Sequence, residues 1–131
     1  MKKQGVLNKP ISSLIAGMGH TDSVVLCDAG LPIPADAERI DLALRCGTPG
    51  FIETLETVLA DLKVERAAVA TQTRDNSPEL HTALLDALGD IPVDYIDHEE
   101  LKARSGKAKG IVRTGECTPF ANVILYSGVI F

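Results

Sequence analysis

"GHTDSVVLCDAGLPIP", Gly19 to Pro34, places a compact apolar, β-branched run between a histidine and an aspartate. Five consecutive residues without a charge, Ser23 to Cys27, read as a strand covered on both faces, because a half-solvated strand would alternate polar and apolar positions. Asp28 to Glu38 must then be loop, since Pro32 and Pro34 lack the N–H groups that a paired strand interior needs. A buried strand demands helices or sheets on each side of it, and the flanking sequence supplies helices.

Upstream, Ile11, Leu14, Ile15 and Met18 recur at helical spacing behind Pro10, with Gly17 and Gly19 as the stop. Downstream, "RIDLAL" (Arg39–Leu44) alternates as a half-covered strand. "CGTPG" (Cys46–Gly50) opens a helix over Phe51–Leu62 with Thr48 as cap and Phe51, Leu55, Val58, Leu59 and Leu62 on the buried stripe. "AAVA" (Ala67–Ala70) is a strand, "NSPELHTALLDAL" (Asn76–Leu88) a helix capped by Ser77, and "VDYI" (Val93–Ile96) a strand. "DHEEL" (Asp97–Leu101) starts a short helix, and "GIVR" (Gly110–Arg113) and "NVILYSGVIF" (Asn122–Phe131) are strands around the "TGECTPFA" loop. The expectation is one domain, residues 1–131, with a three-layer α/β/α architecture around a largely parallel or mixed sheet.

The chain carries a net charge of -5 and five aromatic residues, three Phe and two Tyr, which argues against a nucleic-acid face built from clustered Lys and Arg. No apolar run approaches the ~20 residues of a membrane span, and the first twenty residues lack a signal-peptide pattern. Three widely spaced cysteines, Cys27, Cys46 and Cys117, without a C-x-x-C pair fit a reducing interior, hence the cytoplasm.

In sheets of this class ligands collect where strands end. Asp28, His98 and the Thr114–Asn122 loop all follow strands. Each has a functional and an ordinary reading. His20 is either a general acid or base or a residue favoured past a helix C-terminus. Asp28 is a ligand or a turn former, and His98 is a ligand or a first-turn residue behind the Asp97 cap. Arg113, Glu116 and Asn122 grip hydroxyls, or Arg113 and Glu116 form an ion pair and Asn122 a turn. "CGTPG" binds an anion or merely caps. His81 reads as solvated. His20 and Asp28 lie on the order of 20 Å apart along a straight strand, so they act together only if the chain folds back or a second subunit supplies one of them. Neither a metal-ligand spacing nor a nucleophile elbow is present.

Taken together and in order, "GHTD", "DAGLPIP", "RIDLAL", "DHEEL", "RTGE", "TPFAN" and the final "GVIF" resemble the D-ribose pyranase (RbsD) family and its fucose mutarotase relatives, over essentially the whole chain. The resemblance implies a cofactor-free isomerase that interconverts the pyranose and furanose rings of D-ribose ahead of a furanose-specific kinase. It implies His20 as proton donor and Asp28, His98, Phe120, Ala121 and Asn122 as sugar-binding positions. Phe120 stands where relatives more often carry Tyr, and Thr71–Asp75 departs from the family pattern, so nothing is carried over there. The family's homo-oligomeric rings, decamers with sites at subunit contacts, would resolve the distance between His20 and Asp28. The alternatives are an anomer mutarotase acting on fucose or ribose, and a non-catalytic sugar-binding subunit.

Overall fold

Along residues 1–131, all described by the computed structural model, α1 (Lys9–Gly17) leads into β1 (Ser23–Cys27). Then come β2 (Arg39–Asp41), α2 (Phe51–Leu59), β3 (Val64–Ala70), α3 (Thr71–Asn76), α4 (Pro78–Leu88), β4 (Val93–Ile96), α5 (His98–Ser105), β5 (Gly110–Arg113) and β6 (Val123–Ser127). The strands form one six-stranded sheet in the order β2-β5-β1-β6-β3-β4. β6 runs antiparallel to both β1 and β3, while the remaining pairs are parallel. The sheet is therefore mixed, and the reversed strand sits in its middle.

The alternation of side chains along β1 divides the core between the two faces. Val24 and Leu26 join Ile11 of α1, Phe51, Leu55 and Val58 of α2, and Leu84 and Leu88 of α4. Val25 and Cys27 face the other way, against Leu31 of the loop and Leu101 of α5. The expected three layers are present, and the whole of β1 beyond Ser23 is buried because both faces are covered.

Local chemistry corrects several details of the sequence reading. β2 stops at Asp41 rather than reaching Leu44, because the Asp41 carboxylate accepts the Ala43 N–H and Arg45 pairs with Thr48 in a tight turn, leaving Leu44 exposed. The N-cap of α2 is Gly50, not Thr48: the Gly50 N–H donates to Oε1 of Glu53 at 2.6 Å. Ser77 precedes α4 without capping it, since its hydroxyl donates to the Pro119 carbonyl at 2.7 Å instead. His81 is half-buried and hydrogen-bonded to the Tyr95 hydroxyl at 2.7 Å. Arg113 pairs with Asp41, two contacts of 3.1 Å, and not with Glu116.

Cys46 and Cys117, 71 residues apart, stand side by side, with Cα atoms 5.8 Å apart. Glycine makes the approach possible: the Gly47 N–H donates to the Gly115 carbonyl at 2.6 Å, and a β-carbon on Gly115 would strike the Thr48 and Arg45 carbonyl oxygens. Cys27 stays free, with its thiol pushed up to about 12 by burial and by the neighbouring Asp28 carboxylate. Such a thiol has no nucleophilic character at neutral pH.

Candidate functional site

Because β6 runs against β1 and β3, its first residues lie at the edge where those strands end. That places Asn122, next to β6, beside Asp28, next to β1, although 94 residues separate them. Asn122 is fully buried and grips Asp28 twice: its Oδ1 accepts the Asp28 N–H at 3.0 Å, and its amide donates to Asp28 Oδ2 at 3.1 Å. The Gly30 N–H donates to the other carboxylate oxygen at 2.9 Å. The Asp28 carboxylate is thus held by two donors, with further lone pairs free to accept from a ligand.

A cleft of about 500 Å³ opens at this edge, lined by Asp28, Leu31, His98, Glu116, Thr118 and Phe120 among others. Its volume lies in the range of small-molecule sites. His98 contributes a ring whose Nδ1 is buried without any hydrogen-bond partner in the protein. Such a group costs free energy unless something satisfies it. The Phe120 ring meets the His98 ring edge-on, with centroids 5.0 Å apart.

Phe120 adopts φ 62, a left-handed conformation that is rare for a bulky side chain. Three bonds hold it there. Thr73 Oγ1 donates to the Phe120 carbonyl at 2.7 Å, Ser77 to the Pro119 carbonyl, and the Asn122 N–H closes back onto Phe120 at 2.9 Å. Gln72 braces the His98 side of the cleft, accepting the His98 N–H at 3.0 Å and donating to Asp97 at 2.9 Å. Thr73 and Gln72 at the start of α3 therefore stand behind the cleft and brace the residues that line it. Sequence reasoning missed Gln72 and Thr73; the only signal was a polar cluster directly after an apolar strand.

The anion at the N-terminus of α2 is supplied by the chain itself. Glu116 accepts the Phe51 N–H at 3.1 Å and both the hydroxyl and N–H of Thr118. Burial alone would raise this carboxyl, but those donors outweigh it and hold it below its ordinary value of 4.5. A depressed folded value gives stability that is complete above 4.5 and lost as pH falls through the folded value. In urea melts, wild type should therefore exceed Glu116→Gln at neutral pH, and the gap should close below pH 4.5; a constant gap would contradict the linkage.

Of the remaining expected residues, Ala121 has its side chain fully buried in the core and does not line the cleft, since it faces the layer of α2 and α4. Asn122 stands behind Asp28 rather than on the surface of the cleft. His20 lies at the opposite edge of the sheet, before β1, with its side chain 56% exposed. It borders a second groove of about 500 Å³ with Met18, Lys63, Ile130 and Phe131. Asn122→Leu, which keeps the volume but removes both amide contacts, should destabilise the chain by about 1–3 kcal/mol through the orphaned Asp28 N–H. A urea melt of the variant beside wild type checks the loss.

A mixed sheet whose carboxyl edge bears a carboxylate, an imidazole with an unpartnered nitrogen and an aromatic wall offers a polar cleft of small-molecule size. The chain belongs to the RbsD / FucU transport protein family, whose model matches residues 1–130. It is 52% identical to a D-ribose pyranase of Laribacter hongkongensis over 131 residues, covering all of both chains. Among solved structures, Bacillus subtilis RbsD complexed with D-ribose superposes with a TM-score of 0.97 at 39% identity, covering all of both chains. The fucose mutarotase of Streptococcus pneumoniae in complex with L-fucose gives 0.79 at 26% identity, over 94% of this chain and 96% of that one.

Proposed function

We infer that this chain is an isomerase that interconverts the pyranose and furanose forms of D-ribose, the activity named for relatives half identical to it along their whole length. The observation that carries the site is the buried, unpartnered Nδ1 of His98 beside the fixed carboxylate of Asp28, on a cleft of sugar size. Both groups would bind hydroxyls, with Phe120 packing on a sugar face and Asn122 acting through Asp28.

Ring exchange moves only protons and one carbon–oxygen bond. As the bond from C1 to the ring oxygen breaks, that oxygen takes a proton and the anomeric hydroxyl gives one up, leaving an aldehyde. A different hydroxyl then adds to C1, loses its proton, and the carbonyl oxygen gains one. We assign the proton delivered to the ring oxygen to His20. Since His20 and Asp28 sit at opposite edges, His20 of one copy would complete the cleft of a neighbour in a homo-oligomeric ring, a decamer by resemblance. Exposed Ile130 and Phe131 beside His20 support such a contact surface. Supplying a furanose-specific kinase, which draws on an intracellular phosphate donor, supports a cytoplasmic location.

Saturation-transfer NMR on equilibrated ribose and fucose tests the function. Transfer between ribose ring sizes is the expected result. Exchange between anomers alone would make the chain a mutarotase, and binding without exchange would make it a non-catalytic sugar-binding subunit. Light scattering on the purified chain tests the assembly, and a monomer with full activity would contradict the shared site.

A further inference from the structure

We propose that Glu65 is the positioning residue for His20: it holds the Nε2 proton of the imidazole, so that Nδ1 is the nitrogen that exchanges a proton with the sugar. The proposal rests on the reading of His20 as the acid. His20 Nε2 and Glu65 Oε2 are 2.8 Å apart, the separation of a charge-assisted hydrogen bond. Packing does not fix the ring, because more than half of the side chain is exposed. The carboxylate is the one hydrogen-bonding partner of its side chain.

The backbone is shaped at both ends of this pair. On the histidine side, the Gly19 N–H donates to Asp22 Oδ2 at 2.9 Å, and Thr21 takes φ 69, which is unusual for a β-branched residue. Two bonds to the end of β6 hold the turn, Thr21 N–H to the Ser127 carbonyl at 2.9 Å and Ser127 N–H to the Asp22 carbonyl at 2.8 Å. On the glutamate side, the pairing of β3 with β6 shifts register between Val64 and Arg66, a local irregularity of the kind that re-aims a side chain. Gly128 leaves the room that this requires, since a β-carbon there would lie 3.1 Å from the Glu65 β-carbon. A left-handed threonine, a register shift and a close-packed glycine all meet at one exposed pair. An exposed ion pair contributes little to folding, so stability does not account for the construction.

The chemical consequence follows from the two nitrogens. With Nε2–H committed to the carboxylate, the neutral ring has a bare Nδ1 that accepts a proton, and the cation has an Nδ1–H that donates one. A single nitrogen serves both ring opening and reclosure without reorientation.

The test uses the full-length assembled protein labelled with ¹⁵N-histidine. The neutral His20 of wild type should carry its proton on Nε2, and Glu65→Gln should redistribute it between the nitrogens. The same variant should lose at least about tenfold in kcat, part of the roughly 10²–10⁴ a placed acid supplies, with KM little changed and Glu65→Asp restoring part of the rate. Full activity of Glu65→Gln beside an inactive His20→Ala overturns this proposal alone, whereas an active His20→Ala removes the acid and the proposal with it. If Glu65→Gln does not fold, wild type decides: a neutral His20 protonated on Nδ1 overturns the proposal.

Discussion

His20→Ala should abolish accelerated exchange between the ribose ring forms, a loss of roughly 10²–10⁴ in rate, while the chain folds as before. The two halves of this expectation have separate grounds. The imidazole is more than half exposed and bonded only to a partly exposed carboxylate, so its removal costs the fold at most about 1 kcal/mol. The rate has no such reserve, because the carboxylates on the cleft, Asp28 and Glu116, are already held by hydrogen-bond donors. Measuring ring exchange by saturation transfer beside a circular-dichroism melt checks both. Retained exchange at the wild-type rate would remove His20 from the chemistry.

Phe51→Ala should be the most damaging single truncation for stability, at about 3–5 kcal/mol. Phe51 is fully buried at the first turn of α2 and shares its core with Leu55, Val58 and the inward residues of β1. Removing the ring opens a cavity at the place where the Phe51 N–H is tied to Glu116, so the damage sits next to the cleft. The loss is a large part of the ~5–15 kcal/mol that holds an ordinary domain together. Ile52→Ala, on the half-buried neighbour, should cost visibly less in the same urea titration. Equal losses would mean that the first turn of α2 is not a core position.

The layered architecture was readable because burial on two faces leaves a clear pattern: Ser23–Cys27 carries no charge, and helices separate most of the strands. The rule that ligands gather where strands end also led to Asp28 and His98. What escaped depends on contacts distant in sequence. The direction of β6 is invisible in "NVILYS", since a strand reads the same either way and only its neighbours fix its sense. Ser77 stands where a cap belongs, and nothing local says that its hydroxyl is drawn to Pro119, 42 residues on. Cys46 and Cys117 meet because Gly115 admits a turn from another part of the chain, which spacing cannot foretell. Glu65 left no trace, since it lies beside Arg66 just before the apolar run Ala67–Ala70, without any hint that a histidine 45 residues earlier would meet it.

The reversed central strand acts as a ruler. At one end of its five residues stands Asn122, clamping the Asp28 carboxylate on the cleft; at the other, Ser127 anchors the turn that presents His20. Its length sets how far apart these two edges of a subunit lie and, in the ring proposed above, the stride from one completed site to the next. Inserting a single residue there would alter both ends together and, in such a ring, leave them out of step with every neighbour.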